Sequence, residues 1–299
     1  MSTQGPEDPY ELDRRQVRRS FDRASAEYDR AAVLQATVRA QLLERLAFAR
    51  LEPGLVIDAG SGTGHASREL KRRFRDADVV ALDIAPGMLR EASHQQGWWR
   101  RFVRVCADAQ RLPFPDSSAG LLFSNLMLQW CDDLDAVFAE FRRVLQPHGL
   151  LTFTTFGPDT LQELRAAWGA ADTRTHVHRF IDMHDIGDAL VRAGLAEPVL
   201  DVEHFTLTYD DVRGLMRDLK SIGAHNVSAG RPAGLVGRGR LQAMTDAYEP
   251  FRRDGKLPAT YEVIFGQAWG RAAAPGAGRR PSAGVAHIPV SSIQRRDRK

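Results

Sequence analysis

The sequence predicts an α/β protein with a doubly wound, mostly parallel seven-stranded sheet covered by helices on both faces. Three observations predict it. Short apolar runs alternate with helical stretches between residues 55 and 156. The first run empties into a glycine-rich turn that opens a helix. Acidic residues stand at or just past the ends of three successive runs. At 299 residues the chain fits one large α/β domain, or a domain carrying an insertion.

Each element has its own warrant. Residues 1–10 are polar and acidic, lack an apolar leader core, and are expected to be disordered. From Glu11 a helix is expected, with Val17, Phe21, Ala24 and Tyr28 on one face. A second helix should run from Ala31 to Ala49, stopped by Pro53-Gly54, so that 11–50 forms an N-terminal helical lid. The strands are expected at Leu55–Ala59, Val79–Leu82, Phe102–Ala107, Gly120–Asn125 and Leu150–Phe156. Helices fall between them at His65–Phe74, from Pro86, and from a cap at Asp132 or Asp133 through Leu145. Pro147-His148-Gly149 reads as a turn. Beyond Pro158 come a helix with Leu161, Leu164 and Trp168, a His-rich stretch at 176–184, and a helix from Asp185 to Ala193. A strand at Val199–Leu207, a helical insertion at 209–256 and a last strand at Tyr261–Trp269 complete one domain at 11–271. The tail 272–299 is basic, rich in Ala, Gly, Pro and Arg, and expected to be disordered.

Composition narrows the partners. Apolar residues make up 43% of the chain, so a full core can be buried. No apolar run approaches the ~20 residues that cross a bilayer, which predicts a soluble, cytoplasmic protein with no membrane partner. A net charge of +3 is too small an excess to argue for nucleic acid. Cys106 and Cys131 have no metal-binding spacing and read as free thiols.

The densest motif is Asp58-Ala59-Gly60-Ser61-Gly62-Thr63-Gly64. Glycines at a strand–helix turn let the chain reverse sharply and approach a ligand closely. The spacing is GxGxG, and an acid precedes it. A pyrophosphate gains nothing from Asp58, whereas a cationic ligand does. S-Adenosylmethionine carries a sulfonium and an ammonium and no phosphate. Asp83 is placed for a ribose diol, since a carboxylate accepts from both hydroxyls. Asp108 is placed for the adenine amino group, and Ala109 offers its N–H to the ring. With Gly60, Ser61, Gly62, Gly64, Ile84, Met88 and Asn125 these residues make up the expected donor site. Each acid alone is also an ordinary helix cap or loop residue.

At these residues the chain resembles the class I S-adenosylmethionine methyltransferases, a Rossmann-like fold. More narrowly, it resembles the malonyl-[acyl-carrier protein] O-methyltransferases of biotin synthesis. The stretches that carry this are SFDRASAEYDRAAVLQ (20–35), VIDAGSGTG (56–64), LPFPDSSAGLLFSNLMLQWCDDL (112–134), FTTFGPDTLQELRAAW (153–168), HVHRFIDMHDIGDAL (176–190) and LTYDDVRGLMRDLKSIGAHN (207–226). The resemblance implies transfer of a methyl group to the free carboxylate of a malonyl thioester on acyl carrier protein. It implies an N-terminal helix lidding the donor, with Tyr28 facing the methyl. It also implies that the loop of Asn125, Gln129 and Trp130 faces the methyl. A mitochondrial assembly factor of respiratory complex I, thought to hydroxylate an arginine, shares the fold. An assembly-factor role or a metal-dependent hydroxylase is therefore the alternative.

A malonyl carboxyl is already ionised at neutral pH, so no general base is required. It needs an anchor that leaves one oxygen free to attack. Arg179 is the first candidate, with Tyr28 and Gln129 as orienting groups. Arg179 equally suits a surface pair with Asp182 or Asp185, and Tyr28 equally suits the core. His176, His178, Asp182, His184 and Asp185 are possible metal ligands, with the HxH pair on one strand face, but a solvated polar loop explains them too and no metal is expected. On the helix from Asp210, Val212, Leu215, Met216 and Leu219 form an apolar stripe. Arg213, Arg217 and Lys220 form a basic ridge suited to an acidic carrier protein or simply to solvent. A monomer is expected.

Overall fold

A computed structural model describes residues 12–172, 174, 176–177, 180–223 and 237–271. Its seven strands are β1 (Leu55–Ala59), β2 (Asp78–Asp83), β3 (Val103–Cys106), β4 (Ala119–Asn125), β5 (Leu145–Phe156), β6 (Ala196–Tyr209) and β7 (Leu257–Trp269). They form one sheet in the order β3-β2-β1-β4-β5-β7-β6. β1 to β5 pair in parallel, while β7 runs antiparallel to both β5 and β6. The chain winds outward from β1 to β3 and then crosses back to β4 on the other side of β1. The crevice at the carboxyl ends of β1 and β4 is thus a topological switch point, where open α/β sheets bind ligands.

The burial of each strand follows its position. β1, β2 and β4 are almost continuously buried, as expected of strands covered on both faces. β6 lies at the edge and alternates between exposed and half-buried residues. One core packs Val38, Leu42, Leu70, Phe123, Trp168 and Tyr248 on one side of the sheet. The other packs Ile57, Phe138, Phe141, Phe153, Ile186 and Leu190.

The N-terminal helices are more broken than the periodicity predicts. They are α1 (Arg14–Ala24), α2 (Tyr28–Ala31) and α3 (Val33–Arg45). Tyr28 therefore does not share a helix with Val17 and Phe21. Asp13 caps α1 through the N–H groups of Arg15 and Gln16. At the other end the Ser25 hydroxyl donates to the Asp22 carbonyl, 3.0 Å away, and the helix stops. Ala32, at φ −82 and ψ 41, leaves helical geometry and separates α2 from α3. The expected Ala31–Ala49 helix is for this reason two pieces.

α4 (His65–Arg73), α5 (Pro86–Ala92) and α6 (Leu134–Val144) connect the parallel strands, α6 being capped by Asp133. The Pro147-Gly149 turn is absorbed into β5 as a bulge. Pairing jumps from Ala119 opposite Leu145 to Leu121 opposite Leu150. α7 (Gln162–Ala171) and α8 (Met183–Arg192) follow. Between them, His176 and Val177 lie in no strand, against the expected HxH strand face. α9 (Val212–Ser221) and α10 (Arg238–Tyr248) precede β7. Among the described residues no helix is long and apolar enough to cross a membrane. Residues 1–10 and the tail 272–299, both expected to be disordered, lie outside the described residues.

Candidate active site

The glycine turn after β1 is built for close approach. Gly60 sits at φ +74, and a Cβ there would lie 2.3 Å from Met127 Cγ. The N–H groups of Gly60 and Ser61 both donate to the Leu82 carbonyl, at 2.8 and 2.9 Å. Gly62 donates its N–H to Asp83 Oδ2 at 2.9 Å, and Ala85 donates to Asp83 Oδ1 at 2.8 Å. The carboxylate of Asp83 thus ties the turn to the start of α5. Burial pushes Asp83 up to about 6, against the bonds from Ala85 and Gly62 that lower it. Burial pushes Asp58 up to about 7, opposed by the Ser67 hydroxyl, which donates to Asp58 Oδ2 at 2.5 Å.

Gly60, Gly62, Asp83, Ile84, Met88, Asp108, Ala109 and Asn125 line one cavity of about 100 Å³, together with Tyr28. Asp58, Ser61 and Gly64 do not line it. Asp58 stands behind the turn against α4. The Ser61 hydroxyl is buried without a hydrogen-bond partner. Gly64 admits Ala92, since a Cβ there would lie 2.8 Å from the alanine methyl. The walls also include Arg14, Val17 and Phe21 of α1, and Met127, Trp130 and Cys131 after β4. Sequence reasoning missed Arg14 as a site residue and placed Val17 and Phe21 on one helix face without assigning them to the donor site. Their 17, 21 spacing signals a buried face but not what it covers. Burial pushes the Cys131 thiol up to about 12, so it is no nucleophile.

α1 is held over this cavity by named bonds. Asp22 Oδ1 accepts from the Gly87 N–H at 2.6 Å. Asp29 accepts from the Thr63 hydroxyl at 2.6 Å and lies 3.0 Å from His65 Nε2. The Leu12 N–H donates to Asp132 at 2.7 Å. Phe21 meets Trp130 edge-on, with ring centroids 5.2 Å apart. The two acids of the FDR…YD stretch are therefore the ties between the helices and the donor loop. Burial, then the nearby Asp83 and Asp29, raise the Tyr28 hydroxyl well above its ordinary range, which keeps it protonated as a donor.

A second cavity of about 940 Å³ lies on the other side of α1. Ser20, Arg23 and Ala24 of α1 and Glu27 of the turn after it line this cavity. Trp130 belongs to both cavities. Gln129 belongs to neither. It lines a third cavity with Arg165, donating to the Leu126 carbonyl at 2.6 Å and accepting from the Thr155 hydroxyl at 3.3 Å. Asn125 donates to the Gln35 carbonyl at 3.3 Å. Arg179 and His178 lie outside the described residues, but their described neighbours Val177 and Phe180 both line the large cavity. Met216 leaves the apolar stripe of α9 and lines that cavity too, 37% exposed.

Among the described residues, the possible metal ligands His176, Asp182, His184 and Asp185 do not converge, and His178 lies outside the described residues. His176 is 2.8 Å from Asp172 and stacks on Trp168 at 3.7 Å. His184 Nδ1 is 2.7 Å from Asp182, the cap of α8. Among the described residues the His and carboxylate groups that do converge are Asp159, His204 and Glu262, on other elements.

The donor cavity carries two acids, Asp83 and Asp108, and one cation, Arg14, itself 3.4 Å from Asp108. That lining repels a pyrophosphate and suits a ligand with a diol, an amine and a cationic centre, so the residues present fit S-adenosylmethionine. Residues 57–153 match the family of the methyltransferase domain. The fold is shared with the YcgJ protein of Bacillus subtilis, at TM-score 0.55 and 18% identity over 78% of this chain and 98% of that one. It is shared also with phosphoethanolamine N-methyltransferase 2 of Haemonchus contortus, solved with S-adenosyl-L-methionine, at TM-score 0.53 and 16% identity over 84% of this chain and 57% of that one. The class is that of the doubly wound α/β methyltransferases. The chain is 58% identical over 269 residues to the malonyl-[acyl-carrier protein] O-methyltransferase of Methylovorus sp. (strain MP688), covering 88% of this chain and 90% of that one. It is 51% identical to the protein of the same name from Gallionella capsiferriformans (strain ES-2), over 86% and 91%. The chain belongs to the malonyl-[acyl-carrier protein] O-methyltransferase family.

Proposed function

We propose that this enzyme transfers the methyl group of S-adenosylmethionine to the free carboxylate of a malonyl thioester on acyl carrier protein. The product is the methyl ester that primes the pimeloyl chain of biotin. We read it as a cytoplasmic monomer. The observation that carries the reading is the pair of cavities meeting at Trp130, one acid-lined and one largely apolar, with α1 between them.

When bound, S-adenosylmethionine supplies an electrophilic methyl group. Asp83 accepts the ribose hydroxyls, Asp108 and Ala109 receive the adenine, and the turn at Gly60 and Gly62 lets backbone lie against the ligand. Asp58, behind the turn, adds negative potential for a cationic donor. The chain's remaining task is positioning, which can supply a large share of a barrier reduction. Trp130, Phe21 and Tyr28 exclude water where the cavities meet, which strips the acceptor carboxylate of hydration. The protonated Tyr28 hydroxyl donates to one carboxylate oxygen and leaves the other to attack. We assign the anchoring of the same group to Arg179, which lies outside the described residues. Gln129 acts at one remove, holding the loop after β4 through Leu126 and Thr155.

The test is incubation with methyl-labelled S-adenosylmethionine and malonyl-acyl carrier protein. The expected product is a base-labile methyl ester on the carrier protein. Donor binding with no ester formed, on carrier protein or on coenzyme A, would overturn the reading.

A further inference from the structure

The large cavity is graded from floor to rim. Phe156, Leu164, Trp168 and Phe180 in its wall are between 2% and 8% exposed. Arg23 of α1 and Arg217 and Lys220 of α9, which also line it, are exposed. The chain just past α9 passes close to α1 here. Gly223, just past α9 at φ +72, would place a Cβ 3.3 Å from Phe21 and 3.5 Å from the Ala24 methyl. Arg23 is therefore brought to the same mouth as Arg217 and Lys220, which stand one turn apart on α9. Among the described residues, none of the three has an ion-pair partner. Arg217 donates its Nε–H to the Arg213 carbonyl at 3.3 Å, and among the described residues the end of its guanidinium has no further partner. Among the described residues that line it, Glu27 is the one acid, against the three cations.

A ligand for this cavity has a weakly polar body and an anionic far end. The reacting carboxylate has to reach Trp130, which both cavities share, so it is not the anion that the rim receives. On the thioester reading given above, the acyl group arrives on a phosphopantetheine arm: a chain of amides and methylenes ending in a phosphodiester. We infer that Arg23, Arg217 and Lys220 form the subsite for that phosphate, holding the arm so that its thioester end lies at Trp130. Guanidinium and ammonium groups are the side chains that recognise phosphate by charge-assisted hydrogen bonds. Arg213, on the same helix, does not line the cavity and has no part in the subsite.

The experiment compares two small substrates, malonyl-phosphopantetheine and malonyl-pantetheine, which differ only by the phosphate. The native enzyme should prefer the first by on the order of tenfold or more in kcat/KM, with the gain mainly in KM. In the R23A/R217A/K220A variant that preference should collapse to within about twofold. R213A removes a cation from the same helix and should keep the preference. Calorimetric affinity for S-adenosylmethionine shows that the triple variant is folded. Equal turnover of the two substrates by the native enzyme would overturn the subsite while leaving the methyltransfer reading intact. So would a preference that survives in the triple variant, including the case where only the carrier-protein substrate suffers and the cations read the protein's acidic surface. Failure to methylate either substrate, or the carrier-bound thioester, would instead overturn the functional reading on which the subsite rests.

Discussion

Donor binding should depend on pH through two buried acids. Asp83 titrates near about 6 and Asp58 near about 7, burial being the larger cause in each. Ribose recognition needs Asp83 ionised, because a carboxylate accepts from both hydroxyls and the protonated acid does not. At pH 5 a group with that acidity is ionised in roughly one molecule in eleven. Affinity for S-adenosylmethionine should then fall on the order of tenfold between pH 8 and pH 5. If the negative charge of Asp58 is required as well, the two factors multiply towards roughly a thousandfold. Binding must release protons over the same range. Titration calorimetry in pairs of buffers with different ionisation heats counts them. Loss of fold does not confuse the result. Both acids are raised above the ordinary value of 3.8, so the folded chain holds more protons than the unfolded one between that value and 6 or 7. Their contribution to stability is greatest below 3.8 and declines as pH rises through 6 and 7, so acid does not unfold the protein through them. An affinity that stays flat from pH 5 to pH 8, with no proton release, would remove Asp83 and Asp58 from donor recognition. Asp83→Ala should cost roughly 1.5–3 kcal/mol of binding at pH 8. It also frees the N–H groups of Gly62 and Ala85, so its melting temperature has to be read beside its affinity.

Three further outcomes are expected. Asp29→Ala cuts the tie to Thr63 and His65; because Asp29 is half-exposed, the donor should leave only a few-fold faster in stopped flow, and a native release rate would count against the tie. Tyr28→Phe keeps the ring and removes the hydroxyl, so turnover should fall on the order of tenfold while the melting temperature moves little; native turnover would make Tyr28 a packing residue. Arg179→Ala should abolish methylation of malonyl thioesters with donor affinity nearly intact, and native turnover in that variant would place the anchor elsewhere, with Arg165 the first residue to test.

The sheet was legible because its central strands are buried on both faces and read as unbroken apolar runs. The strand at Val199–Leu207 was found as well, but β6 runs from Ala196 to Tyr209 because pairing with β7 carries alternating residues past both of those ends. The bulge in β5 was legible only as a turn: Pro147 and Gly149 announce a break, while the backbone bond from His148 N–H to the Gly270 carbonyl that restores the strand is tertiary. The donor loop was legible because its chemistry is local. Gly60, Gly62 and Asp83 fall within one strand–helix–strand unit, β1-α4-β2, and spacing alone groups them. The cavity across α1 was not legible, because its walls come from α1, α7, β7 and α9, which only the fold brings together. Asp22 and Asp29 were visible as part of a resemblance, but their bonds to Gly87 and Thr63 span long stretches of chain that periodicity does not read.

The position of α1 has a consequence for how the two substrates meet. Val17 and Phe21 face the donor cavity, and Ser20, Arg23 and Ala24 face the acceptor cavity. One helix thus presents two stripes to two ligands. The donor cavity encloses about 100 Å³, and α1 forms one of its walls. The strands beneath are paired and buried, and cannot give way cheaply. α1 is tied down by the Arg14 pairs with Asp108 and Asp132 and by the Asp22 bond to Gly87, with Leu12 before it and Asp29 of α2 after it adding further bonds. Any displacement of it carries Arg23 and the contact with Gly223 along. Occupation of the donor cavity and the shape of the acceptor mouth are in this way set by the same rigid body. A bond that seats the helix, such as Asp22 to Gly87, contributes to both even though it touches neither substrate.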